Sequence, residues 1–560
     1  MKTVCSRSAA ALALVAALVG CKREGGRAPD EVELPAEMRP HLAHIDVAKL
    51  SVPALFANVP ADSPYLFAAL EPLPVEFYGK MKQAFGPLFA RFVGQAQAAD
   101  NKVLAAVLSE LDGKWNQAGL ESLGFSARPA FAVYGLGLQP VVARVELRDD
   151  KAVLATIQRI AAKAGEALPA METKGGRNYW RFADTDGPAV VVALADNQLI
   201  AAIGKRDDVD AKLGLILGVD KPSPSMADGK PIKELIARHG FGANLVGFAD
   251  TRRLTTAAIT EAGARPSPAC TAEADRLAGR VPRVAFGYGE MSASRISGGM
   301  VIELASDLVP DVRALKVELP GLTAALADQP VLAMAAALDL AKGQALALAV
   351  ASAIKRLGDA CNLPDFSGGV DRAMRALGKP LPDPFGQILG GAIAVRQIEF
   401  GTGANRSPVP RKLEGVTMLA SPDAKALFDK LAAQAPPLKA LAIPADGKLH
   451  DVDAKLPIPF PIAAGVGDKL IVLAAGDQRA ALGGKLIGAH GGGKAPLLAM
   501  SYDYAKVFEL EFQAMGMSPA DVDRVAPGVL DGMRNLFGRV AGTVDVTDAG
   551  VAFWGSLELK

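Results

Sequence analysis

The chain has 560 residues, half of them apolar, with 61 basic and 60 acidic side chains. Charges so nearly balanced give no long-range field that would select nucleic acid or an anionic surface. Single cores rarely grow beyond about 250 to 300 residues, so the length predicts two domains.

The first elements are sorting signals. Lys2 and Arg7 precede AAALALVAALV, Ala9 to Val19, a positive start and an apolar run of secretory-signal length. The run is too short for a bilayer span, which takes about 20 apolar residues. It ends in Leu18-Val19-Gly20-Cys21, which resembles the lipobox of bacterial lipoproteins. That resemblance implies a signal peptide over residues 1–20, cleavage after Gly20, a diacylglyceryl thioether on Cys21 and a further acyl chain, such as palmitate, on the new amino end. Lys22 rather than Asp follows the cysteine. For such lipoproteins this implies the outer membrane, with the periplasmic face expected ahead of display on the cell surface.

Residues 21–54 begin CKREGGRAPDEVELPAEMRP, rich in Gly, Pro and charge, and predict a flexible tether. Next come an opening strand in YLFAAL and two helices, EFYGKMKQAFGPLFARFVGQ and NKVLAAVLSELDGKW. In the first helix Met81, Phe85, Leu88, Phe89 and Phe92 recur at helical spacing. The stripe reads as core, or alternatively as a face for an acyl chain, a partner helix or the membrane. Strands PAFAVYGL and PVVARVEL lead to DDKAVLATIQRIAAKAG, a helix capped by Asp149 or Asp150 and ended by Gly165. PAVVVALADNQLIAAIG predicts a hairpin turning at Asp196-Asn197, residues that tolerate positive φ. Another helix and two strands close the unit.

The same order of elements recurs. ADSPYLFAAL matches ADQPVLAMAA from Ala327, the hairpin VALADNQLIAAIGKRDD parallels AGVGDKLIVLAAGDQRA, and LVGFADTRRL parallels LAMSYDYAKV, setting Asp250 against Asp503. Two related α+β repeats are expected, at 55–306 and 327–560 with a connecting segment at 307–326. Each would be a mainly antiparallel sheet with helices packed largely on one face. Pro60-Ala61-Asp62 before a strand, Gly119-Leu120-(x)2-Leu123-Gly124, Asp149-Asp150-Lys151-Ala152 and the Ala195-to-Ile200 hairpin together resemble an uncharacterised family of bacterial extracytoplasmic proteins known only as a domain of unknown function. That family brings no catalytic residues to carry over.

Motifs with chemical content are few. Gly488-(x)4-Gly493-Lys494-Ala495 falls short of a phosphate loop, because Ala495 replaces the hydroxyl residue and a helix precedes it where a strand is needed. His490-Gly491-Gly492-Gly493 suggests an oxyanion loop, but no Gly-x-Ser-x-Gly nucleophile elbow occurs. His41-(x)2-His44 lacks a third ligand, and His239, His450 and His490 read as surface residues. The carboxylates Asp207, Asp208, Asp210, Asp451 and Asp453 occupy non-equivalent places in the two repeats, which argues against a shared metal or acid–base role. Asp250 and Asp503 read as helix caps. Outside the sorting segment only Cys270 and Cys361 remain; an even count in an oxidising compartment favours a disulfide between them over two buried thiols.

No catalytic residue, metal or cofactor is expected. The leading expectation is a membrane-anchored, non-catalytic binding or scaffolding lipoprotein of the cell envelope, partnered by envelope proteins. Alternatives are a carrier of a lipid or other apolar ligand, and a hydrolase with a dispersed site.

Overall fold

A computed structural model describes residues 32–560 apart from 75, 77–78, 81–101, 115, 127, 184–186, 262–266, 403–407, 436–437, 440, 453–458, 490–492 and 526–527. Cys21 and the stripe of Met81, Phe85, Phe89 and Phe92 lie outside the described residues.

Among the described residues nineteen strands pair edge to edge into one antiparallel sheet, so the fold is α+β. The first half contributes β1 (Tyr65–Ala69), β2 (Phe131–Gly135), β3 (Val141–Glu146), β4 (Met171–Lys174), β5 (Arg177–Ala183), β6 (Ala189–Ala195), β7 (Gln198–Gly204), β8 (Val246–Asp250), β9 (Arg283–Met291) and β10 (Arg295–Glu303). They lie in the order β4-β5-β6-β7-β3-β2-β1-β8-β9-β10. The second half contributes β11 (Leu332–Ala337), β12 (Gly390–Thr402), β13 (Pro408–Ala420), β14 (His450–Asp451), β15 (Ile462–Val466), β16 (Leu470–Ala475), β17 (Leu498–Asp503), β18 (Phe537–Thr547) and β19 (Gly550–Leu559). Their order is β19-β18-β17-β11-β12-β13-β16-β15-β14. Read outward from the middle, the two halves follow the same route, and β4 is an extra strand of the first. The halves join where β10 pairs β19, from Arg295↔Glu558 to Glu303↔Gly550.

Local chemistry explains many of the boundaries. The Asp149 carboxylate accepts from the amides of Lys151 and Ala152 at the start of helix Asp150–Ala164, and Gly165 ends that helix at φ 70°. Asp250 accepts from the Arg253 amide and Asp503 from the Lys506 amide, each turning a strand into a helix. Asp196 and Asn197 take φ 53° and 54° between β6 and β7, as a tight hairpin turn demands.

Alternation along the strands sends one set of side chains into two cores. In the first half Ala132, Tyr134, Val142, Val191 and Ile200 meet Leu213, Ile216, Ile232 and Leu235 from covering helices. In the second, Ala333, Ala335, Met418 and Val472 meet Leu322, Leu326, Leu482 and Leu486. The expected connecting segment thus supplies core residues through Leu322 and Leu326. Cys270, in helix Pro268–Arg280, is bonded to Cys361 at the end of helix Leu340–Ala360, so the disulfide ties the two halves.

Residues 32–54, part of the expected tether, lie against the sheet as a strap. The Val32 amide donates to the Lys494 carbonyl, the His41 carbonyl accepts from the Glu290 amide, and the Ala43 amide donates to the Gly240 carbonyl. Val32, Leu34 and Met38 pack on the second core, and Ile45, Val47 and Leu50 on the first. These apolar residues are dispersed among prolines and charges, so they show no period, yet each finds a place on a surface that already exists. No helix among the described residues is long and apolar enough to cross a membrane.

Two substitutions test this account. A Cβ on Gly299, whose partner across the joint is Trp554, would come within 2.6 Å of the Phe553 carbonyl oxygen and 2.7 Å of Trp554 Cδ2. Gly299→Val should therefore cost about 1–3 kcal/mol of stability through overpacking, measured by thermal unfolding; a wild-type melting curve would show that the joint yields freely. Replacing Cys270 and Cys361 together by Ser opens a link across 91 residues of chain, and loop entropy puts the loss at up to about 5 kcal/mol. An unchanged denaturant midpoint would contradict it.

Candidate functional site

Two concave regions stand out. The larger, a cleft of about 1060 Å³, lies over the joint between strap residues Pro40 to Asp46, helix Lys230–His239, and Val301, Thr543, Asp545 and Trp554 of the central strands. Beside it, Glu303 is 2 % exposed and accepts from His239 Nε2 at 2.7 Å and from Arg283 Nη2 at 2.8 Å, with Arg238 at 3.6 Å. Burial alone would raise the Glu303 carboxyl, but hydrogen bonds from His239 and Arg283 outweigh it and hold the group below its ordinary value of 4.5. On the strap, His41 Nδ1 stands 3.1 Å from Arg295 Nη1, and burial followed by that cation lowers the imidazole against the opposing pull of Glu290.

The second, a cavity of about 660 Å³, opens in the first half between Pro60 to Pro64, the loop after β2, Leu215, residues Lys221 to Pro224 and the start of helix Thr251–Glu261. Lys212, Lys221, Arg252 and Arg253 line it, against one carboxylate, Asp62. Backbone carbonyls orient two of these cations. Lys212 Nζ donates to the carbonyls of Leu136 and Gln139, and Arg253 Nη1 to those of Ala61 and Ser63. Ser63 also lines the cavity, 2 % exposed, with no hydrogen-bond partner for its Oγ among the described residues. A buried hydroxyl left unpaired costs about 1–3 kcal/mol.

These arrangements suit binding and anchoring of charge. A nucleophile for hydrolysis needs a base within hydrogen-bond reach, and Ser63 Oγ has none among the described residues. His239, expected at the surface, is buried because Glu303 and Arg283 lie across from it in the fold. His44 lines the cleft apart from any metal set; among the described residues no group of three His, Cys, Asp or Glu side chains could hold a metal ion. Asp210 pairs with Arg181 and Asp451 with Arg479, both at 2.7 Å, while Asp453 and His490 lie outside the described residues. The Ala495 amide donates to the Val317 carbonyl, so the end of the glycine-rich stretch is edge pairing. Cys270 and Cys361 line neither cavity.

Sequence reading missed the cavity because its cations come from three separate segments. The only local signal was the Asp62-Ser63-Pro64 run in the recurring opening block. Fold and cavities together define an α+β protein built on one long antiparallel sheet, with clefts lined by charge. Comparison with protein-family models, curated proteins and solved structures gives no match.

The buried Glu303 cluster predicts an acid limit. A carboxyl held below 4.5 in the fold contributes stability that is complete above pH 4.5 and is lost as the pH falls toward its folded value. Glu303→Ala should cost about 3–5 kcal/mol near neutral pH, because Arg283 loses its buried counter-charge and His239 its hydrogen-bond partner, and should flatten the acid limb of a stability-against-pH curve. An acid limb as steep as wild type would assign it to other groups.

Proposed function

We propose that the protein is a bacterial envelope lipoprotein, anchored through Cys21 at the periplasmic face of the outer membrane, with a binding or scaffolding role and no catalytic one. The observation that carries this reading is the strap. Eleven positions separate Cys21 from Val32, a reach of at most about 40 Å, and from Val32 the chain is held on the second core, the central strands and then the first core. An anchor at Cys21 would keep the joint and its cleft close to the bilayer. The cation-lined cavity supports binding over hydrolysis, since its serine has no partnering base among the described residues.

We read the halves as diverged copies of one α+β unit. The support is their matched strand order and the matching sequence blocks, with β1 and β11 as the corresponding openings. A second reading, a carrier of an apolar ligand, is favoured by one feature. On the face turned away from the second core, Leu473, Ile393 and Met334 are 41 %, 38 % and 44 % exposed. They lie in one cross-strand row through Thr417. Lipid retained in native mass spectra would support that reading.

Cys21→Ala tests the anchor. The wild type should fractionate with outer membranes and cross-link there to envelope partners, whereas the variant should be released or remain an uncleaved precursor. Unchanged processing and membrane retention would overturn the proposal.

A further inference from the structure

We propose that the first-half cavity is a phosphate site, one that takes a phosphate group on a small solute or a lipid headgroup. This deepens the reading of the protein as a binding protein and rests on it. The cations are built in from separate directions, Lys212 after β7, Lys221 on the following loop and Arg253 on the helix after β8. Lys212 has no carboxylate within ion-pair distance among the described residues. Lys221 lies 4.0 Å from Asp196, whose closer partner is Arg177 at 2.7 Å. Arg253 is 3.9 Å from Asp250, and Arg252 is paired at 3.1 Å with Asp275. Asp62 is exposed at the rim, so positive charge prevails inside.

Backbone carbonyls hold Lys212 and Arg253, and Asn58 Oδ1 accepts from Lys221 Nζ at 2.7 Å, yet each cation keeps N–H bonds to spare, since an ammonium carries three and a guanidinium five. The Ser63 carbonyl fixes Arg253 at 3.2 Å while its hydroxyl, on the same residue, has no partner. A phosphate offers several oxygens to such divergent donors, and charge-assisted bonds of this kind are the strong ones. Proline walls at Pro60, Pro64, Pro222 and Pro224 keep the frame rigid, because each ring restricts its own φ.

The second half supplies an internal control. A cavity of about 400 Å³ lies between the outer part of β12 and helix Tyr504–Ala514, the counterparts of the elements flanking the first cavity. There Arg396 and Lys506 are accompanied by Glu399 and Glu509. Balanced charge removes the reason for an anion to enter.

The test is calorimetric titration of inorganic phosphate into the full protein purified in detergent, a measurement independent of how Cys21 is processed. One saturable site per chain is expected. Lys212→Gln and Lys221→Gln should each weaken it about tenfold, the loss of one charge-assisted hydrogen bond, and Lys506→Gln should leave it unchanged. Lys221 is largely exposed, so its variant stands even if Lys212→Gln unfolds the loop. Competition by vesicles containing phosphatidic acid would identify a lipid headgroup as the source, and phosphate binding without such competition a soluble ligand. Absence of saturable binding by folded protein, or equal affinity in the Lys221→Gln variant, would overturn the site while leaving the anchor proposal standing.

Discussion

The pairing of β10 with β19 is the constraint on which the rest of the molecule depends. Each half ends in a long strand whose free edge would invite association with another chain, and nine residue pairs satisfy both edges at once. Glycines make the close approach feasible, with Gly298 opposite Gly555 and Gly299 opposite Trp554. The joint gathers other links around it. The strap crosses it, with the Glu37 carbonyl accepting from Ser556 Oγ and the His41 carbonyl from Ser297 Oγ. Trp554, from the second half, packs in the core of the first with Phe241.

Buried charge specifies the interior in a way that apolar packing alone does not. Arg144 is 0 % exposed, yet each of its nitrogens has a partner: Tyr134 Oη, Gln198 Oε1 and the carbonyls of Leu215 and Ile216. Tyr134 Oη in turn donates to the Asn58 carbonyl. One guanidinium thus holds β3, the β7 hairpin and the short helix Leu213–Leu217 in register, because a buried ion without partners is far more costly than the same ion fully bonded. Glu303 does the same near the joint, and Glu110 on the helical side. Burial would raise the Glu110 carboxyl, but hydrogen bonds from Lys163, Lys114 and Arg159 hold it at about 2. The phosphate cavity differs from these clusters in having cations without a matching set of carboxylates.

The sequence by itself determined the features that depend on near neighbours: a cap at Asp149 or Asp150, the Asp503 cap, the αL stop at Gly165 and the Asp196-Asn197 turn. A residue's own φ preference and its reach to amides two or three positions away decide these. It also determined the alternation that makes strands and the order of elements in each half. The tertiary structure alone decided which edges meet, that the strap is packed, that His239 is buried against Glu303, and that Lys212, Lys221, Arg253 and Ser63 share one cavity. Those juxtapositions join residues tens to hundreds of positions apart, and no local propensity encodes the energy of a contact until both partners have been brought together.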